Sequence, residues 1–239
     1  CVEAFGGRVA AVKPQSAFFE VFGSAGVAIL ERTVGALRAA GTLVILDVKR
    51  GDIGTTMDAY AEAFLGKDAV DPPDAITVSP YLGYGSLRPA IDLAHATGRG
   101  VFVLALTSNP EGPAVQHARL SGVSVAGHVV AGATADNAAA AAAGQLGSVG
   151  LVVGATVGDA VAELGLDLPG VNGAFLAPGV GAQGGTVDSL RRVFGTALPR
   201  VLASSSREVL QAGPGVRSLA RQVEAVAAPR GSGKDTILK

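Results

Sequence analysis

Short apolar runs alternate with helix-forming segments along the whole chain, and this alternation constrains the fold more than any other property. The runs are Val9–Lys13, Leu43–Lys49, Ala75–Ser79, Gly100–Leu106, Val149–Gly154, Ala174–Ala177 and Arg200–Ser204. Helical composition fills Val27–Ala40, Thr55–Leu65, Ser86–Ala96, Ala114–Ala126, Ala135–Leu146, Val157–Leu164, Thr186–Phe194 and Ser206–Ala212, with a last helix at Val216–Val226. Strand then helix, repeated without a cluster of consecutive strands, predicts a parallel sheet of the α/β class. Seven strands are expected, where a closed (β/α)8 TIM barrel has eight. The expected fold is that barrel with its first strand missing from this sequence. The count alone leaves a doubly wound open sheet as the alternative.

The chain opens Cys-Val-Glu-Ala-Phe with no initiator Met, as though inside a helix, and residues are expected before Cys1. One barrel domain is expected over 1–228. The tail 229–239 contains Gly231, Ser232 and Gly233 without apolar periodicity and reads as a flexible end. With 239 residues, 49% hydrophobic and 5% aromatic, the chain can bury a large core of small and branched aliphatics. A net charge of -1 supplies no field for nucleic acid or an acidic membrane. No apolar run reaches the roughly 18 residues of a membrane span. The single Cys excludes an intrachain disulfide and fits a reducing, cytoplasmic location.

Polar groups gather where strands end, which is where α/β folds bind ligands. The second run ends Leu46-Asp47-Val48-Lys49-Arg50-Gly51-Asp52. Strand side chains alternate faces, so Ile45, Asp47 and Lys49 are expected to point one way, with Asp52 following in the loop. Charge leaving a buried strand is costly unless paired. Carboxylates beside Lys49 favour its charged form, which suits a proton donor or a stabiliser of a developing anion rather than a Schiff-base former. Lys13, on the face of Val9 and Ala11, should point inward beside this set.

Two later strand ends add to the site. Thr107-Ser108-Asn109-Pro110-Glu111-Gly112 offers hydroxyl and amide groups that could read a polar heterocycle, though Ser-Asn-Pro is also an ordinary turn signal. Pro178-Gly179-Val180-Gly181-Ala182-Gln183-Gly184-Gly185 follows a strand and opens a helix, as phosphate loops do. Arg207 after the next strand could grip the same phosphate with two parallel hydrogen bonds. In a barrel the phosphate site lies after the last two strands, which matches this pair. Gly231-Ser232-Gly233-Lys234 fails as a P-loop, since Ala228 and Asp235 stand at its key positions. His95, His117 and His128 lack metal-ligand spacing, and no metal is expected.

The charged strand end, the polar loop and the late phosphate loop together resemble the orotidine 5′-phosphate decarboxylase family, in its longer bacterial branch. The hallmark Asp-x-Lys-x-x-Asp-Ile-x-x-Thr stands here as Asp47, Lys49, Asp52, Ile53 and Thr56. Similar wording surrounds Ala11–Glu20, Thr107–Gly112, Pro178–Gly185 and Ser204–Arg207, and the resemblance runs from Val9 to about Val226. It implies a homodimeric barrel that converts orotidine 5′-monophosphate to UMP and CO2 in de novo pyrimidine biosynthesis, without a cofactor. By the same resemblance Lys49 would protonate C6, Asp47 would sit against the leaving carboxylate, and Lys13 would bind the ribose and orient Asp47. Asp52, Ile53 and Thr56 would project into the partner subunit's site. Ser108 would contact the pyrimidine, and Gln183 and Arg207 the phosphate. Pro178, Gly184, Gly185 and Ser206 complete the substrate-binding set. The family's ribose-binding Asp on the first strand has no counterpart after Cys1. A sugar-phosphate decarboxylase or aldolase of the same superfamily, which uses magnesium, is the alternative. Ile53 with Thr56 and the Ser-Asn-Pro-Glu loop favour the pyrimidine reading. A non-catalytic nucleotide-binding barrel is a further alternative, against which the intact charged array argues.

Overall fold

The computed structural model describes residues 1–181 and 184–227. Nine strands lie among them: β1 (Ala11–Val12), β2 (Leu43–Arg50), β3 (Ala75–Val78), β4 (Gly100–Leu106), β5 (Arg119–Leu120), β6 (Val123–Ser124), β7 (Val149–Val153), β8 (Phe175–Pro178) and β9 (Val201–Ser204). The helices are α1 (Val2–Phe5), α2 (Ala17–Glu20), α3 (Gly23–Ala39), α4 (Gly54–Leu65), α5 (Arg88–Thr97), α6 (Gly112–Gln116), α7 (Val125–Asp136), α8 (Ala138–Ala142), α9 (Ala160–Glu163), α10 (Val187–Phe194), α11 (Arg207–Leu210) and α12 (Val216–Ala227). The tail 229–239 lies outside the described residues.

Seven strands form one parallel sheet in the order β1-β2-β3-β4-β7-β8-β9, each beside its predecessor. A doubly wound sheet reverses direction at a switch point. This order never reverses, which is the winding of a barrel. Strand parity divides the core in two. Val44, Leu46 and Val48 of β2 face the helices. Ile45, Ala75, Phe102, Val152 and Leu176 form a separate interior cluster, with Ala11 and Leu202 against it. Residues from both edges of the sheet meet in that cluster, so the sheet curls around it.

The strands read as continuous apolar runs because they are buried on both faces, as parallel strands between helices must be. Each longer helix buries one stripe against the sheet. In α3 the stripe is Leu30, Val34 and Leu37, and in α4 it is Met57, Ala61 and Leu65, spacings of three and four that share a helix face. Helix α5 stops at Gly98, whose φ of 68° is the left-handed end that favours glycine. Helix α10 starts at Thr186, which accepts the Ser189 N–H while the Ser189 hydroxyl accepts from Thr186 N–H.

Three local expectations fail. The Ala135–Leu146 segment is divided between the end of α7 at Asp136 and α8 at Ala138–Ala142. The Ala114–Ala126 segment is not one helix: α6 ends at Gln116, and β5 and β6 pair antiparallel across Ser121 and Gly122, both at positive φ. Two adjacent left-handed residues are the tight hairpin turn, and Ser124 then caps α7 by accepting the Gly127 N–H at 3.0 Å. The first run shortens from Val9–Lys13 to Ala11–Val12, because only these two residues form a continuous ladder with β2, and Gln15 adds an isolated bridge to Asp47.

Asn137, 1% exposed, ties the end of α7 to the sheet. Its amide donates to the carbonyls of Val149 (2.7 Å) and Val171 (2.9 Å), and its oxygen accepts the Val149 N–H (3.1 Å). Asn137→Ala should lower the unfolding free energy by about 2–4 kcal/mol, since three buried backbone groups lose their partner. Urea titration followed by circular dichroism checks this; a loss below about 1 kcal/mol would show that water replaces the amide.

Candidate active site

The parity that places Ile45 inside the barrel also places Asp47 there, two residues nearer the carboxyl end of β2. Asp47 is 5% exposed. Its Oδ2 accepts from Lys13 Nζ at 2.5 Å, and its Oδ1 accepts from Lys49 Nζ at 2.5 Å. Thr77 on β3, on the interior parity of Ala75, donates its hydroxyl to the same Oδ1 at 2.9 Å. Burial pushes the Asp47 carboxyl up, but the two lysines more than reverse this and hold it below the ordinary carboxylate range. A buried carboxylate therefore stays charged between two ammonium groups.

The loop after β1 fastens directly to this residue. Asp47 N–H donates to Pro14 O at 2.9 Å, and Ser16 N–H donates to Asp47 O at 3.2 Å. Gln15 stands beside Lys49, with Nζ 3.4 Å from Gln15 Oε1. Lys49 does not follow from simple alternation. Its φ is 45°, and the pairing of β2 with β3 shifts between Leu46 and Arg50. Such irregularities re-aim side chains next to active sites, at a cost on the order of 1–3 kcal/mol for a non-glycine residue at positive φ. The next residue is clamped: Arg50 bonds Glu20 at 2.9 Å, and its guanidinium lies 5.6 Å over the Tyr60 ring.

Asp52 does not join this array. Its Oδ1 accepts only the N–H of Ile53, at 2.8 Å, among the described residues. Ile53 is 62% exposed and Thr56 is exposed. Ser108 is exposed just past β4, next to Gly154 at the end of β7. Its loop is tied down by Gln116, which accepts the Thr107 N–H at 2.8 Å and donates to the Thr107 hydroxyl at 2.6 Å.

The glycine loop folds back on itself. Gly185 N–H donates to Gly179 O at 2.9 Å, and Gly181 N–H donates to Gly185 O at 3.0 Å. Gly179 and Gly184 have φ of 100° and 86°. A Cβ on Gly185 would lie 2.5 Å from Gly179 O, so no larger residue fits. The same loop meets Ser205 and Glu208 at Gly181, which brings it beside the end of β9. Ser206 and Arg207 are exposed there, and the Arg207 side chain makes no hydrogen bond or ion pair among the described residues. Pro178 is half-buried at the end of β8, where its carbonyl accepts the Ala155 N–H at 2.9 Å. Gln183 lies outside the described residues. A cavity of about 370 Å³ between β1 and β9 joins Lys13 and Gln15 to Ser204, Ser205 and Ser206.

The structure thus brings Lys13, Asp47 and Lys49 into one array, sets the glycine loop against Ser205 and Glu208 on either side of Ser206 and Arg207, and leaves Asp52 outside the array with Ile53 and Thr56 exposed. Thr77 was not foreseen from the sequence; its only signal is its parity with Ala75 at the end of an apolar run.

A barrel-wound parallel sheet with buried charge at the carboxyl ends of its strands defines an enzyme of the (β/α)-barrel class. A model of the family described as Orotidine 5′-phosphate decarboxylase / HUMPS matches residues 1–222, and the chain belongs to that family. It is 59% identical over 229 residues to an orotidine 5′-phosphate decarboxylase of Salinispora arenicola, covering 95% of this chain and 80% of the relative. With the orotidine 5′-phosphate decarboxylase of Streptomyces coelicolor it shares 60% identity over 219 residues, covering 91% and 76%. The crystal structure of a candidate orotidine 5′-phosphate decarboxylase from Streptomyces avermitilis superposes with a TM-score of 0.84 at 55% identity, covering 95% of this chain and 80% of that one.

Proposed function

We propose that this chain decarboxylates orotidine 5′-monophosphate to UMP and CO2, with Lys49 as the proton donor to C6. The observation that carries this reading is the Lys13–Asp47–Lys49 array at the carboxyl ends of β1 and β2. Loss of CO2 leaves an anion at C6 with little resonance stabilisation. A fixed ammonium at that carbon lowers the barrier, and its proton ends the reaction. Asp47 holds Lys49 at one oxygen and Lys13 at the other, so both cations are placed before substrate arrives. Lys13, nearer the cavity that leads to the end of β9, is suited to the ribose. Ser108 is assigned to the pyrimidine. Pro178, Gln183, Gly184, Gly185, Ser206 and Arg207 are assigned to the phosphate end, where the exposed Arg207 guanidinium suits a dianion. Phosphate binding far from C6 can hold the charged array closed around the reacting carbon.

A second copy of this chain is the proposed partner. Phe18, Phe22, Ile53 and Tyr81 are 74%, 72%, 62% and 78% exposed in the segments that follow β1, β2 and β3. Large apolar side chains grouped at one end of a barrel mark an interaction surface. In this arrangement Asp52, Ile53 and Thr56 reach the site of the partner subunit. No helix among the described residues is long and apolar enough to cross a membrane. A cytoplasmic location is part of the same proposal.

Release of UMP from orotidine 5′-monophosphate by the purified protein tests the reading, and the expected activity persists in excess chelator. Loss of activity on chelation would instead favour a magnesium-dependent sugar-phosphate enzyme of the same superfamily. No UMP release at all, from folded protein, would refute the proposal.

A further inference from the structure

We propose that Thr77 is a positioning residue for the Lys49 ammonium, its single hydroxyl tying the backbone of Lys49 to the carboxylate of Asp47. The proposal rests on the decarboxylase reading above.

A hydroxyl has one proton to give. Lys49 N–H can only donate, and it points at Thr77 Oγ1 from 2.9 Å. The Thr77 proton is then directed to Asp47 Oδ1, also at 2.9 Å, which as a carboxylate oxygen can only accept. The polarity of this relay cannot be reversed. The same Oδ1 accepts from Lys49 Nζ at 2.5 Å, so the bonds close a ring from the backbone of Lys49, through Thr77 and Asp47, to its own side-chain tip. A lysine stem has four rotatable carbons, and fixing one end would leave the other free. Here both ends are fixed. The backbone end is the one held at a φ of 45°, a conformation that persists only where its surroundings enforce it. Without Thr77 the Lys49 N–H loses its partner, and relaxation toward extended backbone would swing the side chain away from C6. Thr77 is 1% exposed, so it acts through the pair rather than by touching substrate.

Thr77→Val keeps the branched shape and removes the hydroxyl, while Thr77→Ser keeps the hydroxyl and removes a methyl. The valine variant should lose about 10- to 100-fold in kcat, the scale on which small misplacement of a reacting group is felt, with KM little changed. The serine variant should recover most of that loss. The acid limb of the kcat profile should move to higher pH in the valine variant, because a carboxylate that loses a donor is protonated more readily. Titration of the Asp47 carboxyl by 13C NMR, assigned with Asp47→Asn, should show the same upward move without substrate. If the wild type releases no UMP but this titration moves, the decarboxylase reading fails and the Thr77 tie stands. Unchanged kcat and unchanged Asp47 titration in the valine variant, or a serine variant as slow as valine, would overturn the proposal. Thr77→Ala takes the same measurements if the valine variant does not fold.

Discussion

Lys49→Ala should lower the rate of UMP formation by about 10⁴- to 10⁷-fold while leaving the protein folded. Two contributions vanish together. Loss of a positioned proton donor costs typically about 10²–10⁴ in rate. Loss of a fixed charge aimed at the developing anion costs about 10²–10³ more. The fold should survive for reasons visible at the site. The Lys49 side chain is 45% exposed and packs no core. Asp47 keeps Lys13 at 2.5 Å and Thr77 at 2.9 Å, so its buried charge retains a partner. The left-handed backbone at position 49 would be borne by alanine no worse than by lysine. Single-turnover measurement of UMP formation, with thermal unfolding as the control, makes the test. A rate within tenfold of wild type would remove Lys49 from the chemistry and with it the proposed mechanism.

Different parts of this picture were legible in the sequence for different physical reasons. The seven parallel strands stand out because a strand covered by helices on one side and the barrel core on the other must be apolar at every position. Asp47 stands out against the same rule: a carboxylate in such a run is too costly to be idle. Lys13 follows from parity alone. The conformation of Lys49 does not, since sequence alternation cannot show that the strand takes a left-handed residue where its pairing shifts. The hairpin at 119–124 was hidden because Arg-Leu-Ser-Gly-Val-Ser carries enough apolar content to pass as helix unless Ser-Gly is read as a turn and Ser124 as a cap. Thr77 was invisible for a deeper reason. One threonine in Ala-Ile-Thr-Val is an ordinary β-former, and its meaning depends on the neighbouring strand supplying an N–H and a carboxylate within 2.9 Å. Registry between strands is a tertiary property. The loop proposed for the phosphate is marked in the sequence by composition and position, through glycines before a helix and an arginine one strand later, and Gly185 has a geometric need for that composition.

The second large effect concerns Asp52, which local sequence spacing grouped with Asp47 and Lys49 and which the structure sets apart. Asp52→Asn should lose most decarboxylase activity, and so should Lys49→Ala, yet an equal mixture of the two should regain activity. The reason is symmetry. In a two-fold dimer whose sites each take Lys49 from one protomer and Asp52 from the other, a mixed dimer has one site with both lesions and one with neither. Random exchange makes about half the dimers mixed, each with one intact site, so about one quarter of wild-type activity should return. The geometry is compatible with this proposal: among the described residues the Asp52 carboxylate bonds only the adjacent Ile53 N–H, and Ile53 is 62% exposed. Among the described residues no cation bonds this carboxylate, and its apolar neighbour is exposed, which fits the proposed shared site. Subunits are exchanged in mild denaturant, returned to buffer and assayed for UMP. Activity no greater than the sum of the two variants would place Asp52 in its own subunit's site or outside the chemistry, and the shared-site arrangement would fall while the Lys49 result stood.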